Sequence, residues 1–203
     1  MIDWQPIETA PEREAVLIAC DEGLIEAQPV RDPKGCRAMN WIRSHRADPI
    51  ARQLADRHYN RQKIGSPQFV PPGRCLVLRT AAGDAVWVTS WPLAAYVKHA
   101  WAGAWVNSLF RNESPHLSST LIRQAVAYTR GHWSEVPTRG MVTFVNADKV
   151  RRKRYPGRCY RKANFQPVGF TKGGLWALQL LETDMPKPYA GAVPLTLFDK
   201  AAP

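Results

Sequence analysis

Apolar and polar positions change period several times along the chain, and each change predicts an element. VLIAC and LIEAQPV flank Asp21-Glu22-Gly23 and predict a β-hairpin in the opening segment. PIARQLADRHY, residues 49–59, places Ile50, Leu54 and either Arg57 or His58 on one face behind Pro49, which predicts a helix ending near Asn60. SPQFVPPG is an irregular Pro-rich loop, and RCLVLRT, AAGD and AVWVTSW then predict strand, turn and strand. WAGAWVNSLFR predicts a strand over residues 101–111. SSTLIRQAVAYTRGH, residues 118–132, predicts a helix with Ser118 or Ser119 as N-cap and Leu121, Ile122, Ala125 and Val126 as its apolar face. A buried strand GMVTFVN, a short helix within GRCYRKANF, and strands FQPVGFT and LWALQLLE around KGG complete the series. From Asp184 the Pro-rich tail is expected to lie extended over the surface.

Helices that interrupt strands, with a closing hairpin, fit an α/β sandwich on a mixed central sheet. The chain divides into an appendage at 1–40, a main domain at 41–183 and a tail at 184–203. A hydrophobic content of 45% and eight tryptophans supply a sizeable core. No apolar run reaches the about 18 residues that would read as a membrane span, and the N-terminus does not read as a secretory signal. The expectation is a cytoplasmic protein with no membrane partner. Cys20, Cys36, Cys75 and Cys159 are widely spaced without a C-x-x-C pair, which indicates reduced thiols rather than a zinc ribbon or disulfide framework.

Charge sharpens the picture. The formal net charge is +11, and eight Lys or Arg with no acid fall within residues 149–162, whereas acids outnumber bases over residues 1–35. Localised charge is the footprint of a polyanionic partner. Tyr155 and Tyr160 interleave with the cations and add flat surfaces for base stacking. Arg151, Arg152, Lys153, Arg154, Tyr155 and Arg158 are therefore candidate DNA contacts; a solvated basic loop is the competing explanation.

The opening W-x-P-I-x-T-A-P resembles the start of a small phage-associated domain of unknown function, though the resemblance stops before that domain would be complete. The strand–helix–strand–helix–hairpin order of residues 105–181, ending in GRCYRKANFQPVGFTKGG, resembles the C-terminal half of GNAT-fold acyltransferases, with Asn164-Phe165 in place of a Gly-Phe-like pair. Together with RHYNR at 57–61, the pattern over residues 50–182 resembles the Mom-type DNA-modification proteins of bacteriophages, which share a GNAT-like fold and place an acetamido group on adenine N6.

That resemblance implies a DNA substrate, a small-molecule group donor and an active site containing His58 and Tyr59. Histidine is suited to taking a proton from an amine, and tyrosine to donating a hydrogen bond or stacking on a base. Asp148, past the strand end, would orient the attacking amine, and Tyr160 would protonate a leaving group. The bland alternatives are a half-buried His-Tyr pair and an aspartate that opens a turn. Acetyl-CoA-dependent GNAT enzymes carry R/Q-x-x-G-x-G/A before the central helix, where this chain has FRNESPHLSSTLI, without those glycines and with Pro115 lacking a donor. Acetyl-CoA is thereby disfavoured as the donor. Arg111, Ser118 and Ser119 remain candidates for holding an anionic or amide-bearing donor, or the serines simply cap the helix. His58 is also open to metal binding, although no residue cluster demands a metal.

Three functions follow from these readings: a Mom-like DNA base-modifying transferase, a GNAT-type N-acyltransferase on a small amine or protein, and a DNA-binding protein without chemistry. Trp87, Trp91, Trp101, Trp105 and Trp176 are expected in the core, with Trp91 and Tyr96 the strongest exceptions.

Overall fold

A computed structural model describes residues 16–20, 23–27, 41–70, 73–150 and 155–189. Strands β1 (Val16–Cys20) and β2 (Gly23–Ala27) pair antiparallel as the opening hairpin and form a two-stranded sheet of their own.

Seven further strands form one open sheet in the order β3-β4-β5-β6-β7-β9-β8. These are β3 (Trp41–Ser44), β4 (Arg74–Thr80), β5 (Ala85–Trp91), β6 (Trp105–Asn112), β7 (Met141–Val145), β8 (Gln166–Phe170) and β9 (Trp176–Leu180). Helix α1 (Pro49–Asp56) links β3 to β4, α2 (Ser118–His132) crosses from β6 to β7, and α3 (Arg158–Arg161) precedes β8. Every neighbouring pair is antiparallel except β6 and β7. A parallel pair needs a crossover, and α2 supplies it.

Alternation along the strands sends side chains to two cores. Leu76, Leu78, Trp87, Trp105, Met141 and Leu178 pack with Leu121, Ile122, Ala125 and Val126 of α2 and with Tyr160 and Phe165. On the opposite face Val77, Val86, Val88 and Leu109 pack with Ala51, Leu54 and Ala55 of α1 and with Phe69 and Val70. Burying each large aliphatic side chain contributes roughly 1.5–3 kcal/mol, so these faces hold the layers together.

Several expectations are corrected. The sequence reading lacked β3, a four-residue edge strand whose Trp41 and Ile42 are buried. Helix α1 ends at Asp56, leaving His58 and Tyr59 in the turn beyond it, where the His58 N–H bonds to the Ala55 carbonyl. Its inner face is Ala51, Leu54 and Ala55; Ile50 is 42% exposed. Asp48 caps this helix, accepting from the N–H groups of Ile50 (2.7 Å) and Ala51 (3.0 Å), and it also receives Ser44 Oγ and Arg79 Nε. Residues 101–104 form a turn, and β6 starts only at Trp105.

Helix α2 matches its expected span, but Leu117 occupies the N-cap and no side chain caps the helix, so neither Ser118 nor Ser119 serves there. Trp91 ends β5 and packs edge-on against Trp105, with the Arg74 guanidinium 4.3 Å above its ring; Tyr96 is 81% exposed in a short 3-10 turn. The tail does not stay wholly on the surface. Met185 is buried, and the Tyr189 N–H bonds to the Ala127 carbonyl of α2; residues 190–203 lie outside the described residues.

Candidate functional site at the split between β6 and β7

The parallel pairing of β6 and β7 runs through only Trp105–Met141, Val106–Val142 and Asn107–Thr143. Beyond those pairs β6 continues along β5 and β7 along β9, so the sheet opens between them. The β5–β6 register shifts at Val88/Thr89, where Val88 faces Leu109 and Thr89 faces Asn107, leaving Ser108 as an extra bulge residue.

Asn107 sits at the base of this opening, 4% exposed. Its Nδ2 donates to the carbonyls of Val88 and Leu109, each at 3.0 Å, and so satisfies the backbone groups around the bulge. Its Oδ1 accepts from the Tyr160 hydroxyl at 2.7 Å and from Thr143 Oγ1 at 3.2 Å. Tyr160 is buried, and that burial holds its hydroxyl protonated far above the ordinary tyrosine range. The arrangement ties α3 to both strands at the point where they part.

His58 and Tyr59 close over the same end. Their rings stack at 4.4 Å, and the Tyr59 hydroxyl accepts from the Asn146 N–H at 3.5 Å, just past the end of β7. Burial, together with the Arg111 guanidinium, lowers the His58 pKa to about 4, so its imidazole is neutral at physiological pH and a weaker base than an ordinary histidine. Tyr59 and Cys159 are near enough to influence each other, and burial raises the pKa of both.

Ion pairs fix this turn. Glu113 receives Arg57 Nη2 at 2.7 Å and Arg111 Nε at 2.5 Å, and Arg111 Nη1 also donates to the Arg57 carbonyl. The hydrogen bond from Arg57, with both guanidinium charges, brings the Glu113 pKa down to about 2. Arg61 bridges Asp56 and the carbonyls of Ser66 and Gln68, fastening the loop that follows.

The remaining candidates are dispersed around this end. Arg111 is engaged with Glu113 and Arg57. Ser118 Oγ accepts from Asn112 Nδ2 at 3.0 Å, as part of a network in which Asn112 also holds His116 and Ser114. Ser119 is half-buried on the first turn of α2. Asp148 is exposed, and its N–H donates to Asn146 Oδ1 at 3.0 Å, the geometry of an Asx turn. Among the described residues, no three His, Cys, Asp or Glu side chains gather as a metal site.

Arg151, Arg152, Lys153 and Arg154 lie outside the described residues. Tyr155 and Arg158 border a surface depression of about 420 Å³, shared with Arg161, Lys162, Phe165 and Gln166. Asn107 and Thr143 escaped the sequence reading. An asparagine in the middle of the apolar run WVNSLF was the available signal, because asparagine is depleted in strands unless its side chain has a local task.

Comparison of the chain with protein-family models, with curated proteins and with solved structures finds no match. No helix among the described residues is long and apolar enough to cross a membrane.

Proposed function

We propose that the protein is a DNA base-modifying transferase, Mom-like, built on a GNAT-like framework and adding an acetamido-type group to adenine N6. The element order, the single parallel pair and the crossover by α2 support the framework. The observation that carries the reading is the convergence of His58 and Tyr59 on the open end of the β6–β7 split, with Tyr59 bonded to Asn146.

Adenine N6 is a weak nucleophile because its lone pair is delocalised into the ring, so transfer requires orientation and removal of a proton. A new bond forms from N6 to the donor carbon, the donor's leaving group departs with its electron pair, and the N6 proton passes to the neutral imidazole of His58. Tyr59 offers a ring against which a base extruded from the duplex stacks. Asp148 accepts from the amine if its loop folds inward, and the donor enters along Arg111, Ser118 and Ser119.

A second reading, a DNA-binding protein without chemistry, draws on two observations. The Tyr160 hydroxyl is already bonded to Asn107, and Asp148 is exposed. Expression in bacteria, digestion of their DNA and mass spectrometry of the nucleosides separates the two. A modified adenosine that disappears with His58→Ala supports the transferase; unmodified nucleosides alongside retained DNA binding support the binder.

A further inference from the structure

The depression beside α3 is lined by cations without an acid. Arg158, Arg161, Lys162, Tyr155, Phe165 and Gln166 line its volume of about 420 Å³. Three of the six are cations and none is an acid. Arg158, Arg161 and Lys162 are exposed, and no ion pair among the described residues includes any of them. By contrast Arg57, Arg61, Arg79, Arg111 and Arg130 each pair with a carboxylate.

The local backbone explains how one short segment presents all three. Gly157, at φ 68°, turns the chain into α3, and its missing side chain leaves room for Leu178, whose Cδ1 would lie 2.5 Å from an added Cβ. Tyr160, Ala163 and Phe165 face inward and are buried. Their burial anchors the segment and turns Arg158, Arg161 and Lys162 outward on a fixed scaffold. Asn164, at φ 74°, then redirects the chain into β8, which brings Gln166 to the rim.

We propose that this concavity is a DNA-backbone site in which Arg161 and Lys162, with Arg158, each neutralise a phosphate and Gln166 donates to a neighbouring oxygen. Within the basic run of residues 149–162 it adds Arg161, Lys162 and the neighbouring Gln166 to the individual candidate DNA contacts. It rests on the nucleic-acid half of the proposed function and not on its transfer chemistry. A fixed row of unpaired cations suits a polyanion whose charges repeat at regular spacing, since each contact releases condensed counterions.

The test is the salt dependence of binding to a fluorescent duplex oligonucleotide, followed by anisotropy. The double variant Arg161→Gln, Lys162→Gln is expected to weaken binding and to reduce the slope of log K against log salt by about 1.8, that is, about 0.9 for each lost phosphate contact. Lys63→Gln, Lys98→Gln, which removes two exposed charges outside the depression, is expected to leave the slope nearly unchanged. An unaltered slope in the first variant, an equal fall in the second, or no binding of duplex by the unmodified protein would each overturn the site. Modified nucleosides that persist while the Arg161/Lys162 slope is unaltered would overturn this site alone. Absent modification with the expected slope change would overturn only the transferase.

Discussion

The Tyr160 hydroxyl donates to Asn107 Oδ1 across 2.7 Å, a buried bond that joins a residue of α3 to the bulged strand β6. The two positions are unequal in consequence. Tyr160→Phe removes one donor and leaves Oδ1 with Thr143, an expected loss of about 1–2 kcal/mol. Asn107→Ala strands the Tyr160 hydroxyl and removes the donor to Val88 and Leu109, and about 3 kcal/mol is expected. Urea denaturation of both variants checks the order; an Asn107→Ala protein as stable as Tyr160→Phe would contradict it.

His58 gives the protein a recognisable acid response. Its pKa falls from 6.5 to about 4 on folding, so the unfolded chain binds the extra proton and stability is full above the higher value and declines as pH drops toward the lower. Allowing for solvent screening, the loss between pH 7 and about 4 is on the order of 2 kcal/mol. Glu113, whose pKa is about 2, loses its contribution in a lower window, between its ordinary 4.5 and that value. Stability measured against pH in His58→Gln is expected to be flatter between 6.5 and 4 and unchanged below it. An identical curve would show that His58 is not the group responsible.

Gly140 precedes β7 with φ +58°, and a Cβ there would meet the Leu180 carbonyl oxygen at 2.1 Å. The obstacle is backbone, while the Gly140 carbonyl itself holds the Trp105 N–H at 2.9 Å. Neither side can yield without disturbing a strand. Gly140→Ala is expected to cost about 3 kcal/mol or more, read as a lowered thermal midpoint. A midpoint within a degree or two of the parent, by calorimetry, would contradict that geometry.

Legibility in the sequence followed the strength of local pattern. The β4–β5 hairpin, α2, and the β8–β9 pair were readable because period and turn residues agreed within each segment. Strand β3 was not, because WIRS is too short to show alternation and acquires its structure by pairing with β4. The end of α1 was overrun since no glycine or proline marks it; the helix stops where Arg57 turns to meet Glu113, a residue 56 positions away. The site divides in the same way. His58 and Tyr59 were marked by the resemblance to Mom-type proteins and Tyr160 by its place among the cations, whereas Asn107 matters only through a bulge, which is a property of two strands together. The inward turn of Tyr160 likewise depends on packing that one segment does not encode.

The brevity of the β6–β7 ladder has a mechanical meaning. Strands β7, β9 and β8 form one plate, strands β3 to β6 another, and within the sheet itself three residue pairs join them. The Asn107 side chain, bonded to Val88 and Leu109 on one side and to Thr143 and Tyr160 on the other, is the pin of that joint. Whatever enters the opening meets that carboxamide at its base, while the core on α2, packed against Trp105 on one plate and Met141 and Leu178 on the other, spans the joint from one face.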